Sequence, residues 1–399
     1  MSVTNTSFCT LPWIHLATHP SGTVSPCCIT DMENGVSMAK KNGENLFLKE
    51  NTLEEITNSE SFNQLRLEMM ENKFPSVCKT CYKNDLNQVK SRRIESNESY
   101  QHLINKCFEN TNSDGSLKMI DYRYVELRLG TVCNLKCVTC NPFSSNKWNE
   151  DVSIFKNTEF EANYFKNQIK TEWYRDPKFY DDLLKKCDKL EEVWINGGEP
   201  TLIREHAYFL NKLIENDRAK DINLHYSINV TKIPQEFIDL WKKFKKLKLQ
   251  LSIDDLGERN DYIRFGSNWE IINKNLNFIS EYKDQFDIEV CQTVSALNVS
   301  NINNFKKFVM DHGLITAHNF VHHPSFMHVS IIPDKLKEKI LTNLNFLTNE
   351  EIFRLESEFK QSCNDQELLK FKKFMKLLDL KRNVKIESYL PEWEEFFQE

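Results

Sequence analysis

From about residue 120 the chain alternates short apolar runs with longer stretches of helical period. Residues 124–129, 192–196 and 222–229 read as three short strands. Leu247, Leu249, Leu251 and Ile253 alternate with Lys248, Gln250 and Ser252 at period two, which predicts a fourth. Phe286, Ile288 and Val290 open a fifth, and residues 315–321 form a sixth. Between them Phe237, Leu240, Trp241 and Phe244, then Trp269, Ile272 and Leu276, recur at helical spacing. Strands alternating with helices predict an α/β fold with parallel pairing, as an open doubly wound sheet or a barrel. Functional groups then belong at the carboxyl ends of the strands. Residues 1–115 differ: they are loop-rich at first, then carry one amphipathic helix through Leu53, Ile56, Phe62, Leu65 and Met69. The polar stretch 108–118, with Asp114-Gly115, predicts a linker. Three units are expected: 1–115, 116–332 and a helical extension over 333–399, rich in Lys, Glu and Phe.

Composition narrows the classes. The 399 residues include 52 basic and 58 acidic side chains, for a net charge of −6. No cationic block stands out, which argues against a dedicated duplex nucleic-acid binder. The first twenty residues lack a basic-then-apolar leader, and no run approaches the roughly 18 apolar residues of a membrane span. A soluble, cytoplasmic chain is expected. Glycine is scarce, at 10, and cysteine plentiful, at 12. In a cytosolic chain, clustered cysteines point to metal or redox chemistry rather than a disulfide scaffold. In so glycine-poor a chain, the adjacent pair Gly197-Gly198 marks backbone with an unusual torsion or a close approach.

Cys133, Cys137 and Cys140 are spaced C-x3-C-x2-C directly after the first predicted barrel strand. Thiolates select zinc, copper(I) or iron–sulfur clusters. Three thiols in eight residues suit three corners of a 4Fe-4S cube with one iron left open. They also suit a zinc site that borrows a remote histidine, or three cysteines with no metal.

This spacing resembles the signature of the radical SAM superfamily, and Asn196-Gly197-Gly198-Glu199-Pro200, after the second strand, resembles its GGEP motif. The resemblance implies a partial (β/α)6 barrel across 116–332. It also implies a 4Fe-4S cluster on Cys133, Cys137 and Cys140, with S-adenosylmethionine (SAM) on its open iron. The GGEP segment would hold the SAM amino group, chiefly through backbone. Ser252-Ile-Asp254-Asp255 resembles the S-I-D-G of SPASM and Twitch enzymes, with Asp255 where glycine is usual; Ser252 would reach the SAM carboxylate. Asp261-Tyr262-Ile263-Arg264 follows their D-x-Y-R loosely, and places Arg264 with the cofactor residues. Asn229 resembles the third-strand T-N-x-T. Gln292 and Thr293, then Ser295 and Asn298, resemble the segment beside the SAM nucleoside. His322 and His323 end the sixth strand, where substrate would sit. No catalytic acid or base is assigned.

The N-terminal cysteines extend the resemblance. Cys9-x12-Gly22-x4-Cys27, then Cys78-x2-Cys81, is similar to the SPASM/Twitch auxiliary-cluster pattern, here ahead of the barrel. A Twitch-containing group shares the opening Phe8-Cys9-Thr-Leu-Pro12-Trp13-Ile-His15, the Ser91-Arg92-Arg93 run, Leu378-Asp379-Leu-Lys-Arg382 and Pro391-Glu392. It implies one auxiliary 4Fe-4S cluster on Cys9, Cys27, Cys78 and Cys81, with Cys28 as substitute for Cys27, aiding redox chemistry or substrate binding. A zinc site suits the same four residues. Cys187, Cys291 and Cys363 read as packed thiols, and Cys107 alone cannot support another cluster. The implied activity is reductive SAM cleavage followed by hydrogen abstraction from an unactivated C–H bond. Flavodoxin or ferredoxin would be the reductant and a peptide or protein the substrate. A carbohydrate, aminocyclitol or nucleotide dehydrogenase or epimerase is the alternative. From another class, a non-catalytic zinc-stabilised binding protein also fits.

Overall fold

The computed structural model describes residues 7–30, 38–164, 172–360 and 365–397, so Cys363 lies outside the described residues. Ten strands occur among them. They are β1 His15–Thr18, β2 Val24–Ser25, β3 Lys40–Lys41, β4 Glu44–Asn45, β5 Tyr124–Arg128, β6 Glu192–Asn196, β7 Asn223–Ile228, β8 Lys246–Ser252, β9 Asp287–Val294 and β10 Ile315–Phe320. Strands β5 to β10 pair in chain order, each parallel to the next. These are the six strands the apolar pattern predicts.

The intervening helices, among them Pro177–Lys185, His206–Glu215, Gln235–Trp241, Trp269–Ser280 and Ile302–Asp311, all pack on one face. Leu183, Phe209, Trp241, Leu276 and Phe305 share a core with Val125, Val193, Leu224, Leu249 and Val290. Along β6, β7 and β8 burial alternates residue by residue, with the helix face dry and the other face only half-buried for most residues. A doubly wound sheet would be dry on both faces. Here one face lines a lumen, which makes the sheet the wall of a partial barrel.

Four strands were not foreseen: β3 and β4 form a small separate hairpin, and β1 and β2 extend the main sheet. β1 adds to the outer edge of β5 in parallel, with His15 opposite Tyr124 and Ala17 opposite Glu126. β2 then pairs antiparallel to β1, completing an eight-stranded sheet. The run His-Leu-Ala-Thr is too short for a period-two signal, and its partner lies more than 100 residues downstream. The predicted linker is also a packed element. Thr111 bridges Leu117, and a side chain on Gly115 would lie 2.3 Å from the Asn63 carbonyl oxygen. Arg66, fully buried on helix Glu60–Met70, donates to the carbonyls of Gly115 (2.8 Å), Pro12 (3.2 Å) and Thr57. That one guanidinium gathers the N-terminal cysteine loop, the helix and the turn before the barrel.

The C-terminal helices close the structure. Phe374, on helix Asp365–Arg382, stacks on Phe155 at 5.1 Å and meets Phe160, Tyr164 and Phe326. The tail thereby bridges the loop after β5 and the turn after β10. Phe374→Ala should cost about 3–5 kcal/mol, the usual range for emptying a buried phenylalanine site. Urea unfolding followed by fluorescence would measure it, and a loss below about 1 kcal/mol would contradict this packing.

Candidate functional site

The site is assembled at the carboxyl ends of β5 to β9. The loop that follows β5 carries the three thiols, and its irregular backbone is fixed by partners from three directions. The backbone N–H groups of Lys136 and Val138 donate to the carbonyls of Phe265 (3.0 Å) and Ile263 (2.7 Å). Trp148 Nε1 donates to the Cys137 carbonyl at 3.0 Å, and Ser145 Oγ to that of Leu135 at 2.6 Å. From the tail, Arg382 donates to the Lys136 carbonyl (2.7 Å) and to Asp151 (2.8 Å), with both ionic side chains almost wholly buried. Its guanidinium also lies over the Trp148 and Phe265 rings, at 4.9 and 4.6 Å from their centroids.

Gly197 and Gly198 have φ of +86° and +49°. A Cβ on Gly197 would stand 2.3 Å from the Leu129 carbonyl oxygen, and one on Gly198 2.3 Å from that of Val132. The close approach that needs glycine is therefore to the backbone leading into the cysteine loop. Glu199 is buried with both carboxylate oxygens occupied. Oε1 accepts from Thr201 N–H (3.1 Å) and Oγ1 (2.6 Å), and Oε2 accepts from Asn229 N–H (2.6 Å). It ties the end of β6 to that of β7. Burial raises its pKa, against those three donors. Pro200 starts the short 3₁₀ turn Pro200–Leu202.

Asn229 links its strand end to the triplet. Its Nδ2 donates to Asn134 Oδ1 (2.8 Å) and reaches Cys133 Sγ at 3.9 Å, while its Oδ1 accepts from Thr231. The next residue, Val230, is buried with φ of +64°, a strained conformation for a β-branched side chain. Such strain persists only where the surroundings enforce it, most often at functional sites.

Asp254, given no role from sequence, is the hub of the β8 end. Its carboxylate accepts from Arg264 (2.9 Å) and Thr293 N–H (2.8 Å), and its carbonyl from Gln292 (2.9 Å) and Asn298 (2.8 Å). Gln292 is thus directed at backbone on the helix side, and its Oε1 meets His318 at 3.0 Å. Ser252 and Thr293 stand on the lumen face, half-buried. Asp255, in place of the usual glycine, accepts from Leu256 N–H (2.8 Å) and Arg259 (2.8 Å). The left-handed residue of that turn is Gly257, at φ +59°. Arg259 in turn pairs with Glu392 of the tail at 2.7 Å.

The thiols share one electrostatic environment. Burial pushes Cys137 up to about 11, with Cys133 adding to it, and Cys140 up to about 12, with Cys137 and Cys133 adding to it; burial raises Cys133 as well. Arg264, nearly buried, is held protonated by Cys137, Asp254 and Cys133 against the cost of burial. Its Nε has no partner. Three thiols on one loop beside a buried, unsatisfied donor suit a metal group that takes thiolates and presents acceptor atoms.

The N-terminal cysteines converge separately. Cys9, Cys27, Cys78 and Cys81 line one cavity with Phe74, Arg92 and Arg93. Burial raises Cys9 and Cys78 to about 12 and raises Cys81. Cys28 lies outside that lining, beside Cys27 and Glu126. Ser91 caps helix Arg92–Ser99, and Arg93 pairs with Asp85 at 2.7 Å and donates to the Phe8 carbonyl. Among the described residues, the trio of ligand atoms within 4.8 Å of one another is His322, His328 and Glu358. Among the described residues, neither cysteine set brings three sulfurs within 4.8 Å of one another, wider than the ~3.8 Å that about 2.3 Å bonds to a tetrahedral zinc impose. Cys187 is buried, as read from sequence, and so is Cys107, whereas Cys291 sits half-buried on the lumen face, because Ala317 and Ser252 flank it in register.

Replacing Arg382 by Met would leave Asp151 buried beside Lys136 alone. The expected loss is about 3–5 kcal/mol of stability, the range for breaking one side of a buried ion pair. Iron retained through gel filtration should fall with it. Wild-type stability and iron in that variant would contradict the anchoring of the loop.

Comparison with known proteins meets this geometry. Residues 127–309 match the model of the radical SAM superfamily, and residues 9–82 that of the SPASM iron–sulfur cluster-binding domain. An uncharacterized protein of Methanocaldococcus jannaschii is 26% identical over 244 residues, covering 59% of this chain and 70% of that one. Among solved structures, native anSMEcpe with bound AdoMet aligns at 16% identity and a TM-score of 0.38, covering 58% of this chain and 61% of its own. Streptococcus suis SuiB aligns at 14% and 0.37, covering 76% and 64%. The chain thus spans less than two thirds of either solved structure. No helix among the described residues is long and apolar enough to cross a membrane. The chain therefore carries a radical SAM domain preceded by a SPASM domain, and with them SAM, its 4Fe-4S cluster and an additional iron–sulfur cluster.

Proposed function

We propose that this protein is a cytoplasmic radical SAM enzyme that modifies a peptide or protein, with an N-terminal SPASM unit (1–115), a barrel (116–332) and a helical tail (333–399). The observation that carries the reading is the convergence of three half-buried thiols with the unpartnered Nε of Arg264 at the carboxyl ends of the strands. Cys133, Cys137 and Cys140 would hold the 4Fe-4S cluster. Cys9, Cys27, Cys78 and Cys81, which share a cavity, would hold the auxiliary one. When bound, the first cluster with SAM supplies one-electron cleavage of the cofactor and a 5′-deoxyadenosyl radical able to take hydrogen from an unactivated C–H bond.

The chain's own part is to bind, orient and shield. The backbone of residues 196–200, with Ser252 and Thr293 on the lumen face, would receive SAM. Asn229 would steady the Cys133 sulfur, and Arg264 would offer its remaining donor. Gln292 acts indirectly, by bracing the Asp254 carbonyl. The lumen wall presents a continuous polar chain for substrate. Trp194 Nε1 donates to Ser227 Oγ (3.1 Å), Ser227 to Gln250 Oε1 (2.9 Å), and Gln250 to Glu289 (2.5 Å). Its amide, hydroxyl and carboxylate groups match those a peptide offers. Holding the target C–H bond in this walled space is catalysis by proximity and exclusion of water. Electrons would come from flavodoxin or ferredoxin.

The test is anaerobic reconstitution with iron and sulfide. The wild type should carry about eight irons and the Cys133/Cys137/Cys140 triple alanine variant about four, as two four-iron clusters require. With dithionite and SAM, only the wild type should release 5′-deoxyadenosine. Alanine at Cys9, Cys27, Cys78 and Cys81 should spare that release but abolish product. Zinc in place of iron, or a fully loaded protein that leaves SAM intact, would overturn the reading.

A further inference from the structure

The lumen carries a second built site, on the side of the N-terminal cysteines. Tyr124 and Glu126 project inward from β5, and His15 of β1 lies against them. The His15 imidazole stacks on the Tyr124 ring with centroids 4.2 Å apart and planes at 10°. His15, Tyr124 and Glu126 are only 6%, 0% and 5% exposed. His15 Nδ1 is 3.4 Å from the Pro26 carbonyl. A carbonyl can only accept, so Nδ1 carries the proton and Nε2 presents a lone pair. Burial, aided by Arg92, lowers the His15 pKa to about 3, which keeps the ring neutral.

That lone pair faces Glu126 Oε2 across 4.0 Å. Neither atom has a donor, and the Tyr124 hydroxyl has no partner either. The other Glu126 oxygen is held by Asn196 Nδ2 at 3.1 Å, which fixes the carboxylate toward the gap. Glu192, the next carboxylate of the lumen, has Tyr100, His225 and Arg92 against it. Glu126 has no lysine or arginine at ion-pair distance among the described residues. Two buried acceptors, one of them a carboxylate, therefore lack a donor; the Tyr124 hydroxyl and the Arg92 guanidinium, 5.5 Å from the Tyr124 ring centroid, stand nearby with unpaired O–H and N–H groups but bond neither acceptor, which is costly until a donor reaches them.

We propose that this gap receives a protonated primary amine of the substrate. An alkylammonium has three donors and no acceptor, so it can bond His15 Nε2, Glu126 Oε2 and the Tyr124 oxygen together while neutralising the carboxylate. A hydroxyl donates once and sets its own lone pairs against the second acceptor. The inference rests on the radical SAM reading only in taking the lumen as the substrate chamber. The amine's source is either a lysine side chain or an amino sugar.

The test uses reconstituted full-length protein and ligand-observed NMR. Nα-acetyl-lysine amide is paired with Nα-acetyl-norleucine amide, and glucosamine with glucose. One amine should bind at least about tenfold more tightly than its neutral partner, a difference of 1.4 kcal/mol, and which one does so identifies the source. Glu126→Gln should erase that preference. Tyr124→Phe, which keeps charge and shape, should weaken it and guards against a misfolded Gln variant. Equal binding of amine and isostere, or a preference that survives in folded Glu126→Gln, would overturn the proposal and leave an ordered water in the gap. The same holds if neither amine binds a protein that still releases 5′-deoxyadenosine. Failure to release it would instead count against the radical SAM reading, since amine binding is read directly.

Discussion

Arg382 and Asp151 form an ion pair sealed from water, and the geometry of the cysteine loop depends on it. A loop of irregular backbone cannot hold three thiols in register by itself, because it lacks the repeating hydrogen bonds of a helix or strand. Here the missing order is imported. The tail supplies Arg382 to the Lys136 carbonyl, the segment after β8 supplies the carbonyls of Ile263 and Phe265, and Trp148 holds that of Cys137. The aromatic cluster around Phe374 brings these parts together, and the buried charges fix how they meet. Losing half of that pair would leave a charge in a dry interior, a far larger penalty than losing the pair as a whole.

The same economy of connections runs along the strand ends. Glu199 ties β6 to β7, Asp254 ties β8 to β9, and Asp255 with Arg259 and Glu392 ties β8 to the tail. The side chains left over on the inner face, including Ser252, Thr293, Glu126 and Cys291, are those with freedom to meet a ligand. The division follows strand parity: residues pointing to the helices build the core, and those pointing inward build a polar chamber wall.

Much of this was legible from sequence because it depends on local pattern. Period-two alternation at Leu247, Leu249 and Leu251 marks β8, and parity places Ser252 in the lumen. The triplet and the glycine pair stand out by spacing alone. What was not legible depends on distant partners. The four residues of β1 become a strand only beside β5, and Arg66 makes the apparent linker a packed turn. Gln292 sits in a segment read as lining the cofactor, yet its side chain points the other way, a distinction only the register of β9 reveals. The tail is rich in Lys and Glu, and nothing in their pattern sets Asp379 and Arg382 apart, yet Asp379 accepts from Tyr262 at 2.8 Å and Arg382 lies in the core. A charge pattern gives no sign of which charges will be buried.

The most direct test of the central claim is electron paramagnetic resonance of the reconstituted, dithionite-reduced chain, recorded with and without SAM. If Cys133, Cys137 and Cys140 hold a cluster with an open iron, SAM will shift one component of the spectrum. That component will be missing when the three residues are serine. A spectrum that SAM leaves unchanged, or a shift that persists in the serine variant, would contradict the account.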